Sequence, residues 1–135
     1  MKKETFRHIE AELYCYHETL KEIEKKRQEI MYNYRPDENI GGGKSNIPGN
    51  PTEKVATRLA ENVELKRLEE IAGAIKFVYD SSPEEYKKLI KLKYWTKPQL
   101  LTWDGIADKL HISKRQAMRW RDEIVYSIAK VLGWK

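Results

Sequence analysis

The sequence predicts an all-α protein, and three observations carry that prediction. Ala, Leu, Ile, Glu, Lys and Arg dominate, while strand-like runs of Val, Thr and Phe are missing. Apolar residues recur every three or four positions over long stretches. Four of the seven glycines and three of the five prolines fall within residues 36–51, which leaves the rest of the chain free to form uninterrupted helices. With 40% hydrophobic and 35% charged residues over 135 positions, there is apolar material for a modest helical core and too much charge for a thick one.

The first element is a long helix over residues 4–32. Phe6, Ile9, Leu13, Tyr16, Leu20, Ile23 and Ile30 alternate in steps of three and four, with Arg27 in the one polar slot. This 3.5-residue period is that of a coiled-coil seam. The seam suits either a homodimer through the N-terminal helix or packing against the next helix of the same chain. Residues 33–52 read as a linker, since three consecutive glycines and three prolines interrupt regular structure. Gly43-Lys44-Ser45 matches the end of a phosphate-binding loop. However, Glu38 stands where that loop needs its first glycine, and no buried strand precedes it, so nucleotide hydrolysis is rejected.

Asn50-Pro51-Thr52-Glu53 restarts the helix, with Asn50 as cap and Pro51 at the first position. Leu65, Leu68, Ala72, Ile75 and Tyr79 then share one side up to about Asp80, with Val55 and Leu59 further back. Ser82-Pro83-Glu84-Glu85 starts a third helix in the same style, with Ser82 as its cap. It buries Tyr86, Leu89, Ile90 and Tyr94 and ends near Trp95, before Lys97-Pro98.

The sharpest pattern lies in the last third. Thr102 caps a short helix, Trp103–Leu110, whose inward side is Ile106, Ala107 and Leu110. His111-Ile112-Ser113 follows, then a second helix from Lys114 to Leu132, opened by Ser113 with Gln116 three residues on. This spacing is that of a helix-turn-helix. Ala107 is the small residue needed where the two helices touch. His111 stands where the backbone turns left-handed, and Ile112 plugs the turn. Ala117, Trp120, Ile124, Ile128 and Val131 face inward, and Gly133 ends the helix. Lys114, Arg115, Met118, Arg119 and Asp122 are left on the outward face. Lys114, Arg115 and Arg119 are the leading DNA contacts, because a basic first turn suits phosphates and guanine edges. Ser113 and Gln116 join them with capping as their other role, Met118 lies on the same face, and Lys109 and Arg121 flank it on phosphates. Lys97 is a further flanking candidate.

Charge placement agrees with that assignment. Residues 1–92 carry 17 basic and 17 acidic side chains, whereas residues 93–135 carry nine basic and four acidic, so the whole net charge of +5 belongs to the C-terminal piece. The expected division is therefore a helical arm, 1–80, and a DNA-binding helix-turn-helix domain, 81–135.

Other classes are excluded by residues that are missing. Cys15 has no intramolecular disulfide partner and fits a reducing interior. No apolar run is long enough to span a bilayer and none opens the chain as a leader, so the expected location is the cytoplasm, with no membrane partner. Asn50-Pro51-Thr52 is not a glycosylation acceptor. His8, Cys15 and His17 do not make a metal site, because Cys15 and His17 project from nearly opposite sides of a helix. No catalytic set and no cofactor loop is present, so no enzyme activity and no cofactor is expected. Trp95, Trp103, Trp120 and Trp134 are candidates for base stacking, with at least two of them expected in the core.

The stretches SSPEEYKKLIKLKYW and WDGIADKLHISKRQAMRWRDEIVYSIAKVL resemble region 4 of bacterial sigma factors. With NIGGGKSNIPGNPTEKVA after a charged first helix, the layout is similar across nearly the whole chain to the phage RinA and ArpU family of late-operon transcriptional regulators. The glycine-rich linker and the C-terminal motif are the specific parts of this resemblance. It implies an activator of phage late or packaging genes that works on double-stranded DNA with host RNA polymerase in a bacterial cell. His111 departs from the frequent glycine at the turn, and Trp120 is bulkier than usual. The alternative is a phage DNA-packaging protein such as a small terminase subunit, which also joins DNA-binding helices to an oligomerising helical hairpin.

Overall fold

Leu-, Ile-, Glu- and Lys-rich segments become helices wherever the chain is described. The computed structural model describes residues 1–33 and 51–135, with side chains at 1–32 and 56–135. Among these residues there are six α-helices and no strand: α1 (Lys3–Tyr14), α2 (Tyr16–Asn33), α3 (Pro51–Ser81), α4 (Glu84–Tyr94), α5 (Trp103–Leu110) and α6 (Lys114–Leu132). The expectation of an all-α protein holds. Most of the expected linker and the Asn50 cap lie outside the described residues, while Pro51 opens α3 as its type and place predict.

The expected long first helix is two helices. At Cys15 the backbone leaves helical geometry (φ −95°, ψ 6°), and α2 begins at the next residue. Ile9 and Leu13 are fully buried and Tyr16 nearly so. Beyond the break Ile23 stays buried at its seam position, while the positions on either side of it shift by one residue. Thr19 is buried while Leu20 is 40% exposed, and the Lys26 side chain is less exposed than that of Arg27.

The described residues form two compact units, one of residues 1–17 with 71–135, the other of residues 18–70. They divide the chain elsewhere than the expected boundary at 80/81. In the smaller unit, α2 and α3 are joined by ion pairs, Lys26 with Glu64 at 3.5 Å and Arg27 with Glu69 at 2.5 Å. Exposed pairs of this kind stabilise little. Leu65 and Leu68 are half-buried there, and Leu59 is exposed.

The larger unit holds the main core. Ile71, Ala72, Ala74, Ile75 and Val78 of α3, Leu89, Ile90 and Tyr94 of α4, and Ile106 and Ala107 of α5 are buried in it. α6 contributes Ala117, Ile124, Val125, Ile128 and Ala129. Val131, expected inside, is 49% exposed. Val125 and Ala129 are buried because α6 packs on α1 as well as on α4 and α5, which widens its apolar stripe. The two ends of this unit also meet: the Lys2 N–H donates to the Lys135 carbonyl, and the His8 ring lies 4.6 Å from that of Trp134.

Ser82 does not cap α4. Its hydroxyl donates to the Val78 carbonyl at 2.6 Å and so closes the end of α3, while Pro83 takes the cap position of α4. Among the described residues, no helix is long and apolar enough to cross a membrane.

Candidate nucleic-acid interface

The start of α6 is set by three local devices. Thr102 Oγ1 accepts the Gly105 N–H at 3.2 Å and starts α5. At the other end of α5, His111 takes a left-handed conformation (φ 59°, ψ 41°). Its N–H reaches the Asp108 carbonyl, and the Ile112 N–H reaches that of Ala107. This pair of bonds is a Schellman closure, which satisfies two of the free carbonyls at the helix end. Ser113 Oγ then accepts the Gln116 N–H at 3.0 Å and starts α6. Gly133 (φ 75°) closes α6 by the same pair of bonds, from Gly133 to Lys130 and from Trp134 to Ala129.

With Ala117 fully buried, helical geometry turns the intervening residues outward. Lys114, Arg115, Met118, Arg119 and Asp122 line one shallow hollow on the first two turns of α6. Lys114, Arg115 and Arg119 are exposed, Met118 is half-buried between them, and Asp122 marks where the basic strip ends. Gln116 is half-buried with its backbone used by Ser113. Lys109 is exposed on the last turn of α5. A roomier hollow of about 720 Å³ lies between the end of α3, the start of α4 and the second half of α6, where Phe77, Tyr86, Tyr126 and Val131 face it. Its lining is mainly apolar, so the smaller basic hollow is the one suited to a polyanion.

Arg121 is the expected contact that the structure does not bring to this face. It lies on the side of α6 turned to α1, with its side chain 17% exposed. Its guanidinium sits 5.0 Å from the centre of the Phe6 ring and 5.2 Å from that of Trp103, and it pairs with Asp122 at 2.7 Å and with Glu10 at 3.6 Å. Lys93 is engaged in the same way: it donates to the Tyr14 hydroxyl at 2.6 Å and lies over the Tyr14 and Trp103 rings. Two of the nine basic residues in the C-terminal piece are therefore used inside the unit.

The tryptophans are half-buried, and each has a partner ring or cation. Trp95 stacks on Tyr16 at 5.1 Å, and its indole N–H donates to the Leu13 carbonyl. Trp120 stacks on Tyr86 at 4.8 Å. His17 packs against Trp95, and Cys15 is exposed. Among the described residues, no three His, Cys, Asp or Glu side chains come together as a metal site.

Sequence reasoning placed Tyr94 inside but missed its link to Glu10. The Tyr94 hydroxyl donates to the Glu10 carboxylate at 2.6 Å across 84 residues of chain. No local pattern signals such a pair, because Glu10 reads as one more solvated charge on an amphipathic helix.

Comparison with known proteins places this architecture. A family model described as "Protein of unknown function (DUF722)" matches residues 1–130. The chain belongs to this family. A curated relative, the transcriptional activator rinA of Staphylococcus phage phi11, is 32% identical over 136 residues, which span 98% of this chain and 94% of the relative. The kinship with phage RinA-type regulators expected from the linker and the C-terminal motif therefore holds. No solved structure matches the chain.

Proposed function

We propose that this family member is a sequence-specific DNA-binding transcriptional regulator, an activator of phage late or packaging genes. It lays α6 in the major groove as the second helix of a helix-turn-helix. The observation that carries this reading is the open basic face of Lys114, Arg115, Met118 and Arg119 on a helix start held by Ser113 and the left-handed His111. The activator name of the phage phi11 relative supports the regulatory part. Late genes, sigma-region-4 likeness and cooperation with host RNA polymerase in the bacterial cytoplasm rest on the resemblance of the motifs.

The residues divide by chemistry. Arg115 and Arg119 offer planar forks for guanine O6 and N7, and Met118 offers an apolar surface to a thymine methyl. Lys114 and Lys109 supply charge to phosphates, which fixes register without reading sequence. Ser113 holds the helix start, with Gln116 beside it at the groove edge. Arg121 is not among the contacts.

Unbiased selection of bound duplexes from a random pool by the purified full chain tests the reading. Recovery of a defined sequence supports it, and the Arg115→Ala and Arg119→Ala variants then recover motifs degenerate at particular positions. A pool that shows no enrichment counts against it.

A further inference from the structure

Glu10, Tyr94 and Arg121 have no place in the DNA contacts, yet they join α1, α4 and α6 through two side-chain links. Tyr94 is 1% exposed, and its hydroxyl donates to Glu10 Oε2 at 2.6 Å. The same carboxylate oxygen lies 3.6 Å from Arg121 Nη1, with both side chains about four-fifths buried at 21% and 17% exposure. Phe6 of α1 and Trp103 of α5 lie against the guanidinium, so α5 meets the same point. Arg121 follows the outward Arg119 by two residues, and any roll of α6 that moved one would move the other.

A planar guanidinium between two rings and two carboxylates admits few orientations, because rings and carboxylates each constrain its plane. A lysine or an apolar residue would pack there without fixing the rotation of α6. The buried apolar faces of α1 and α6 set that rotation coarsely, and the directional contacts at Arg121 narrow it.

We propose that Glu10 and Arg121 are a positioning pair that narrows the rotation of α6, and with it the aim of Arg115 and Arg119, through a node completed by Tyr94. The inference rests on the DNA-binding reading above and deepens it: residues 1–17 belong to the reading head. Loss of the pair leaves the basic face intact but misaimed. Discrimination between sequences falls while charge-driven binding persists, because base contacts need geometry and phosphate contacts need mainly charge.

The test uses the full chain with two probes, a duplex recovered by selection with the wild-type protein and a scrambled duplex of equal length. Glu10→Gln, Arg121→Gln, the double variant and the milder Tyr94→Phe are compared at a temperature where circular dichroism shows each folded. The expected result is a loss of about tenfold or more in the ratio of selected to scrambled affinity for either single variant, with a smaller loss for Tyr94→Phe. The double variant loses no more than the worse single one, as expected for two groups acting as a unit. If Arg121→Gln instead weakens both duplexes equally and lowers the salt slope by about one while Glu10→Gln changes nothing, Arg121 is a phosphate contact and the proposal is overturned. Variants that melt earlier with an unchanged affinity ratio overturn it too, since the pair is then structural only. A wild-type chain that binds neither duplex defeats the DNA-binding reading itself, an outcome distinct from both.

Discussion

Arg115 and Arg119 stand one helical turn apart on the same face of α6, so in the proposed complex their forks would address neighbouring base pairs of one groove. Alanine at either position is expected to weaken binding by about 1–3 kcal/mol and relax preference at one base pair. Competition against a panel of single-base variants of the selected duplex measures this. Lys114→Ala should weaken all sequences alike and lower the salt slope by about one, since a point charge reads phosphate and not sequence. Tyr86 contributes to behaviour at high pH beside Tyr94, whose phenol is raised further by burial and by the Glu10 carboxylate. The Tyr86 phenol, which donates to Glu123 and stacks on Trp120, is pushed up to about 12, chiefly by burial and then by the Glu123 carboxylate. The folded state thus holds this proton more tightly than the unfolded chain, whose tyrosines titrate near 10. The resulting stabilisation is full below pH 10 and is lost as pH rises from there to about 12. Urea midpoints of the wild type should fall through that window, and those of Tyr86→Phe should fall less steeply.

The turn between α5 and α6 was legible because its parts are local. A serine cap, a residue tolerant of left-handed backbone and a small contact residue act within a few positions of one another, and Thr102, His111, Ser113 and Gly133 all do what their types imply. Substitutions there should act locally as well. Ser113→Ala is expected to destabilise by about 1 kcal/mol through loss of the cap. His111→Val should cost about 1–3 kcal/mol, because a β-branched residue strains the left-handed turn, whereas His111→Gly should cost little. Thermal or urea unfolding measures all three. What local reasoning could not reach was set by distant partners. The heptad period runs unbroken through Cys15, yet Leu13 and Tyr16 pack with Trp95, some eighty residues on in the chain, and the helix breaks between them. Val125 and Ala129 replace Val131 inside for the same reason: α1 covers a side of α6 that the sequence of α6 alone leaves open. Ser82 carries the residue type of a cap, but its hydroxyl donates back to the Val78 carbonyl, and Pro83 takes the cap position of α4.

At the scale of the molecule, residues 1–17 join the same compact unit as α6, so the N-terminal residues and α6 should stand or fall together. Ile9 is fully buried, and Ile9→Ala is expected to cost about 2–5 kcal/mol. Hydrogen exchange should then show lost protection throughout α6, more than a hundred residues away in sequence; protection lost in α1 alone would mean that the two are not one cooperative unit. The charge pattern narrows in the same direction. Residues 1–92 carry no net charge, and Lys93 and Arg121 are turned to internal partners, which leaves Lys114, Arg115 and Arg119 on the first turns of α6, with Lys109, as the exposed basic group beside the turn. The most direct measurement is a salt titration of the full chain on its selected duplex, with the Arg115→Ala/Arg119→Ala double variant alongside. Base reading by these two arginines predicts that log K falls linearly with log salt concentration, and that the double variant binds the selected duplex no better than a scrambled one. Equal affinity of wild type and double variant for the selected duplex at every salt concentration would contradict it.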